Sequence, residues 1–180
     1  MARRAPSPLA LLKARLAEAS SPLYRVRGPA ALARLLAARA GSPLWLEEHP
    51  WLKNVARELE KLGLKPHWAA EVWAPGADTA VTVALGAIPE TGTVLLRADL
   101  GVPSWLPFRA RKQIVLVPWE RAALPLAAAL DLTRRHLPGM ISWLTGPTRT
   151  ADIEKVLVLG AQGPQELEVV LYQPTGKGKG

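Results

Sequence analysis

Ile141-Ser142-Trp143-Leu144-Thr145-Gly146-Pro147-Thr148-Arg149-Thr150-Ala151-Asp152-Ile153-Glu154, running on through Leu159-Gly160 to Gly163-Pro164, carries the most informative change of pattern in the chain. Residues 140–144 form an apolar, strand-like run that breaks at Gly146-Pro147. Thr148, Thr150 and Asp152 follow, all suited to starting a helix. The spacing therefore predicts a strand, a tight turn and a helix N-terminus. In open α/β proteins such a turn lies at the carboxyl edge of the sheet, where backbone N–H groups point outward and ligands bind. Pro89-Glu90-Thr91-Gly92-Thr93 has similar chemistry and predicts a second turn at the same edge.

Outward from these turns, the chain alternates helices and strands. Ser7-Pro8 starts one helix, with Leu9, Leu12 and Leu16 on one face, and Gly28-Pro29 opens another carrying Leu32, Leu35 and Leu36. Residues 43–46 are a short apolar segment. Residues 51–62 give the clearest helix: Trp51, Val55, Leu59 and Leu62 recur at helical spacing and Gly63 stops it. Residues 79–85 alternate and read as a strand entering the Glu90 turn, with 94–97 as its continuation or partner. Residues 114–117 are wholly apolar, as in a strand buried on both faces of a parallel sheet. Residues 120–136 read as a helix, 167–172 as the closing strand and 176–180 as a frayed tail. This order predicts an α/β fold, a mostly parallel sheet flanked by helices. It divides into a basic, helical N-terminal segment packed on the domain (1–42), the α/β domain itself (43–174) and a flexible tail (175–180).

Composition bounds what the chain can do. With 180 residues and 49% apolar content it buries one substantial core. It has no cysteine, so no thiolate can hold a metal, an iron-sulfur cluster or an acyl group. His49, His67 and His136 are widely spaced and show no metal-ligand pattern. Neither the dinucleotide Gly-x-Gly-x-x-Gly nor the Walker phosphate loop is present, and no cofactor is expected. The apolar run near the N-terminus ends at Lys13, too short for a signal-peptide core or a membrane span, and a cytoplasmic protein is expected. Residues 1–40 hold eight Lys or Arg against the single acid Glu18, a net of +7 out of the chain's +8. Such a segment can meet nucleic acid, an acidic partner or an anion, or be a solvated helical face. The near absence of aromatic residues there, Tyr24 apart, favours the solvated face. Of the seven tryptophans, Trp51 and Trp143 are expected in the core and Trp105 in an exposed loop.

The candidate site residues come from the two turns. Thr148, Arg149 and Thr150 offer hydroxyls, a guanidinium and free N–H groups, a combination suited to a carboxylate or phosphate. Asp152 and Glu154 in the same turn work against an anion. Thr91, Gly92, Thr93 and Gly146 complete the expected anion site. Glu90, on a sharp turn, is either a nucleophile placed against oxyanion donors or a carboxylate bonded to its own turn. Arg109, Arg111 and Lys112 form a basic cluster expected to be solvated.

Together, Glu90-Thr91-Gly92-Thr93 with Val94-Leu95-Leu96, and Gly146-Pro147-Thr148-Arg149-Thr150-Ala151-Asp152-Ile153-Glu154 with Leu159-Gly160 and Gly163-Pro164, resemble the LUD domain of the lactate-utilization protein C type. The resemblance covers residues 75–172 well. It implies a fold similar to the ribose-phosphate isomerase and CoA-transferase group, and a role in oxidising lactate to pyruvate beside iron-sulfur partner proteins. CoA-transferases of similar fold use a glutamate in a Glu-Asn-Gly turn as nucleophile, and Glu90-Thr91-Gly92 looks like that turn. Two positions depart from the family pattern, which often has His where this chain carries Gln162 and Lys112-Gln113; neither supplies an imidazole here. Three readings follow: a non-redox subunit of a lactate-oxidation system that binds a small organic anion or scaffolds the complex; an acyl-CoA- or phosphate-handling enzyme using Glu90; and nucleic-acid binding through residues 1–40. The residues leave open whether the chain is an enzyme.

Overall fold

The computed structural model describes residues 5–69, 77–98, 106–135, 140–147, 149–151, 157–159 and 163–175. In chain order these form α1 (Pro8–Glu18), β1 (Leu23–Arg27), α2 (Pro29–Arg39), β2 (Leu44–Leu46), α3 (Pro50–Lys61), β3 (His67–Trp68), β4 (Thr79–Ile88), β5 (Thr93–Ala98), α4 (Leu106–Arg109), β6 (Lys112–Pro118), a 3-10 turn (Trp119–Arg121), α5 (Leu126–Arg135), β7 (Met140–Leu144), β8 (Arg149–Ala151), β9 (Leu157–Leu159) and β10 (Glu166–Gln173). An eight-stranded sheet has the order β1-β10-β6-β4-β2-β3, each neighbouring pair parallel. The upper half of β4 pairs antiparallel with β5, and β5 with β7.

The sheet is packed on both faces because the middle of its central strands, Ile114–Val117 of β6 and Val169–Leu171 of β10, is apolar at every position. Ile114 and Leu116 of β6, with Val170 and Tyr172 of β10, face α2 and α3, where Leu32, Leu36, Leu52, Val55 and Leu59 are fully buried. Val115 and Val117, with Val169 and Leu171, face the other way onto Leu12 and Leu16 of α1. The run read as a strand buried on both faces is thus the middle of the core. α1 and α2 begin where Ser7-Pro8 and Gly28-Pro29 place them, and Ser7 Oγ caps α1 by accepting the Ala10 N–H at 3.3 Å.

Four expectations are corrected. Residues 1–42 are not wholly helical: Leu23–Arg27 form β1, an edge strand along β10, whose alternation with Arg25 and Arg27 looks like a loop between two helices. The expected helix of residues 120–136 is a 3-10 turn and then α5, because Pro125 stands between them. Trp143 is not core; it lies on the outer strand β7 and is 37% exposed. Arg149 and Thr150 do not start a helix but form β8, paired antiparallel with Leu157–Leu159, since the β-branched Thr150 favours an extended backbone once a partner strand is present. Thr148, Asp152, Glu154, Gln162, Trp105, His136 and the 176–180 tail lie outside the described residues.

Of the basic cluster expected to be solvated, Arg109 is exposed, whereas Arg111 and Lys112 belong to a network at the amino edge of the parallel strands. Arg39 binds Glu168 through two bonds, Nε–Oε2 at 2.7 Å and Nη2–Oε1 at 2.8 Å. Lys112 Nζ reaches Glu166 at 3.0 Å, Glu168 at 3.3 Å and the Arg39 carbonyl at 3.0 Å. Arg111 binds Asp78 at 2.8 Å and also Glu166. Glu168 is 3% exposed, so its charge is held by these partners rather than by water. Of the basic N-terminal residues, Arg39 joins this network, Arg25 stacks 3.7 Å above the Trp119 ring, and Arg15 is bonded to Glu18 on the surface. Burying an unbalanced pair costs about 3–5 kcal/mol, and Arg39 keeps some solvent, so Glu168→Gln should lower stability by about 3 kcal/mol in urea denaturation. The Arg111 bond holds the Asp78 carboxyl below its usual value. Burial pushes Glu166 up, but Lys112 and Arg111 outweigh it and lower it too. Both carboxylates therefore stabilise the fold above about pH 4, and that contribution should disappear as pH falls through their depressed native values. A thermal midpoint that stays flat between pH 5 and 2 would contradict this.

Candidate functional site

The two turns singled out in the sequence do meet in space. β5 and β7 are neighbours, with Val94 opposite Leu144, so the 89–92 turn lies beside residues 145–147. A chain of hydroxyls links them: Thr91 Oγ1 to Thr93 Oγ1 at 2.7 Å, and Thr93 Oγ1 to Thr145 Oγ1 at 2.8 Å. Both turn glycines have positive φ, 68° at Gly92 and 122° at Gly146, and both abut the last turn of α1. A Cβ on Gly92 would stand 2.7 Å from Arg15 Cβ, and one on Gly146 3.0 Å from Ala19 Cβ. Among the described residues, the surroundings do not suit an anion. An open hollow here is lined by Glu18, Glu90, Thr91, Thr145, Ala19 and Arg15, and Arg15 is bonded to Glu18 at 2.9 Å. The carbonyl end of α1 adds negative potential. Glu90 itself is exposed at the tip of the β4–β5 hairpin. Thr148 lies outside the described residues, and Arg149 and Thr150 are placed only as backbone in β8.

The structure builds a different cleft at the carboxyl ends of β2, β4, β6 and β10, where open α/β sheets bind ligands. It encloses about 310 Å³ and opens to solvent. Glu47, His49, Arg97, Glu120 and Arg121 give it polar walls; Trp51, Val83, Leu85, Pro118 and Pro174 give it apolar ones. Each polar group is fixed by a local cause. β2 ends at Leu46, one position before Glu47, whose N–H still bonds the Val81 carbonyl at 3.0 Å. The Glu47 carboxylate then accepts the Val83 N–H at 2.8 Å, a ladder position β2 no longer fills, and is 5% exposed. Two residues on, His49 caps α3: its Nδ1 accepts the Trp51 N–H at 3.2 Å. Histidine is not one of the usual capping residues. Because Nδ1 is an acceptor, the neutral ring carries its proton on Nε2. Burial, with the Arg97 charge nearby, holds the imidazole below its usual 6.5.

Arg97 comes from β5, which returns past the point where β4 leaves the parallel sheet, and Glu120 and Arg121 come from the 3-10 turn after β6. That turn approaches β4 closely because residue 86 is glycine: a Cβ there would stand 2.3 Å from Leu124 Cδ1 and 3.0 Å from the Arg121 carbonyl oxygen. Lys112 and Gln113 are structural: Lys112 belongs to the ion network, and Gln113 Nε2 donates to Thr82 Oγ1 at 2.7 Å inside the core.

Family comparison agrees with this architecture. The LUD domain matches residues 73–172, more than half of the chain. The chain belongs to the LUD domain family. It is 31% identical over 101 residues to lactate utilization protein C of Exiguobacterium, covering 53% of this chain and 44% of that protein. A protein of the same name from Deinococcus radiodurans is 33% identical over 103 residues, covering 53% and 46%, and one from Geobacillus kaustophilus is 26% identical over 163 residues, covering 78% and 67%. The chain thus spans less than half the length of the first of these relatives. A crystal structure of a DUF162 family protein from Deinococcus radiodurans superposes with a TM-score of 0.69 at 19% identity, covering 92% of this chain and 96% of that one, and so shares the fold. Arg97, Glu120 and Arg121 lie inside the LUD match; Glu47 and His49 lie before it. No helix among the described residues is long and apolar enough to cross a membrane.

Sequence reasoning missed this cleft, although a signal existed. An apolar segment followed at once by Glu47, and His49 preceding a proline, repeat the strand, polar turn and helix start read at residues 141–152, without the Gly-Pro mark. His49 gives the test. Its ring titrates below 6.5 in the native state, so the unfolded chain binds the proton more readily, and the stability present at neutral pH is lost as pH falls below 6.5. Proton NMR should find the His49 midpoint below 6.5; a midpoint above 6.5 would remove burial and Arg97 as the controlling influences.

Proposed function

We propose that this LUD-domain chain serves in lactate utilization as a component without an iron-sulfur cluster of its own, holding a small organic anion beside iron-sulfur partner proteins. The observation that carries the reading is the match of residues 73–172 to the LUD domain, together with relatives named lactate utilization protein C. The absence of cysteine supports the division of labour, because iron-sulfur clusters are held by thiolates.

The carboxyl-edge cleft is the better support for the anion than the paired turns. It sets two guanidiniums, Arg97 and Arg121, against two carboxylates, Glu47 and Glu120, with a neutral imidazole between. The four charges sum to zero, so a monocarboxylate, which one arginine can hold through paired N–H···O bonds, leaves a single uncompensated charge, whereas a diacid or a phosphate leaves more and is disfavoured. Among the described residues nothing favours acyl transfer at Glu90, which is exposed at a hairpin tip beside Glu18.

Two measurements test the reading. Calorimetric titration of the full chain with lactate and pyruvate should show binding, and Arg121→Gln should weaken it by about tenfold, the loss of a charged hydrogen bond. Deleting the gene in its source organism should slow growth on lactate and not on glucose. Normal growth on lactate, with no iron-sulfur protein recovered on co-purification, would overturn the assignment.

A further inference from the structure

The cleft is larger than a three-carbon acid needs. Its volume is about 310 Å³. Lactate has six non-hydrogen atoms, and if each takes the room of a liquid water, about 30 Å³, the acid fills on the order of 180 Å³. Room for roughly four more heavy atoms remains. The walls around it are apolar: Trp51, Val83, Leu85 and Pro118. Trp51 is held by edge contact with His49, ring centroids 4.9 Å apart, and by Tyr172 at 5.3 Å. An aliphatic chain placed there would exchange water for apolar surface.

His49 adds a second selection. Its Nδ1 is occupied by the Trp51 N–H, and no other hydrogen bond of its ring occurs among the described residues. The ring lines the cleft, and its one remaining donor is Nε2–H. A fixed donor recognises an acceptor oxygen, and a second carboxylate, although an acceptor too, would add another negative charge beside Glu47 and Glu120. A keto or hydroxyl oxygen next to a carboxylate held by arginine is such an acceptor; a plain fatty acid has none there. A site built to hydrogen-bond that oxygen discriminates against the analogue lacking it.

We propose that the cleft selects monocarboxylic acids that carry an oxygen on C2 and an apolar chain longer than methyl, with His49 Nε2–H as the specificity-determining contact. The proposal rests on the reading of this cleft as an organic-anion site, and extends the ligand class beyond lactate itself.

The test uses the full chain and three probes: pyruvate, 2-oxohexanoate and hexanoate. 2-Oxohexanoate should bind at least tenfold tighter than pyruvate, since each buried methylene contributes about fourfold. It should also bind about tenfold tighter than hexanoate, which lacks the C2 oxygen. The informative variant is His49→Asn, because asparagine keeps a capping oxygen for the Trp51 N–H but is too short to present the donor. In that variant the preference for 2-oxohexanoate over hexanoate should fall to about onefold. Wild-type protein gives an independent readout: the His49 imidazole resonances should shift on adding 2-oxohexanoate and stay in place with hexanoate. Pyruvate binding as tightly as 2-oxohexanoate, or an undiminished preference in His49→Asn, would overturn the proposal while leaving the anion site standing. Failure of all three acids to bind the wild type would overturn the anion site and this proposal together.

Discussion

Everything at the carboxyl edge follows from one strand changing partners. β4 runs parallel between β2 and β6 through Val83, then pairs antiparallel with β5, the register shifting between Ala84 and Gly86. A strand cannot keep both parallel neighbours and take an antiparallel one on the same side, so the sheet splits at this point. The split leaves the Val83 N–H without a β2 partner, and the Glu47 carboxylate supplies one. A buried N–H left unsatisfied costs about 1–3 kcal/mol, which fixes Glu47 firmly. The same split brings β5, and with it Arg97, back across the mouth of the parallel sheet. Gly86 then admits the 3-10 turn that carries Glu120 and Arg121.

The two ends of the parallel strands use charge in opposite ways. At the amino edge, Arg39, Lys112 and Arg111 are each bonded to Glu168, Glu166 or Asp78 within ordinary hydrogen-bonding reach, and the network ties α2 to β6 and β10. Such saturated pairs position elements and have little left to offer a ligand. At the carboxyl edge, charges of both signs line a hollow, and a half-buried imidazole capping α3 stands between them. Of the eight basic residues in the first forty, Arg39 is engaged at the first of these edges and Arg25 in the cation-ring contact with Trp119.

The cleft also joins two parts of the chain with different standing in the family. Arg97, Glu120 and Arg121 belong to the LUD-matched region, whereas Glu47 and His49 come from the β2–α3 connection that precedes it.

Local chemistry was enough to read the helices and most strands from the residues. Ser7-Pro8, Gly28-Pro29 and the period of Trp51, Val55 and Leu59 place α1, α2 and α3 because capping and amphipathic spacing act within a few residues. The apolar run in β6 declared a doubly covered strand for the same reason. The LUD motifs, and the adjacency of the 89–92 and 145–147 turns, were also legible. β1 and β8 were not, since a strand of three or five residues exists only through its partner, and that partner lies more than a hundred residues away for β1. Nor was the candidate site: Glu47, His49, Arg97 and Arg121 are scattered over 75 positions, and nothing in their neighbours marks them as a set. Only the split of β4, a long-range choice of hydrogen-bond partners, brings them to one hollow.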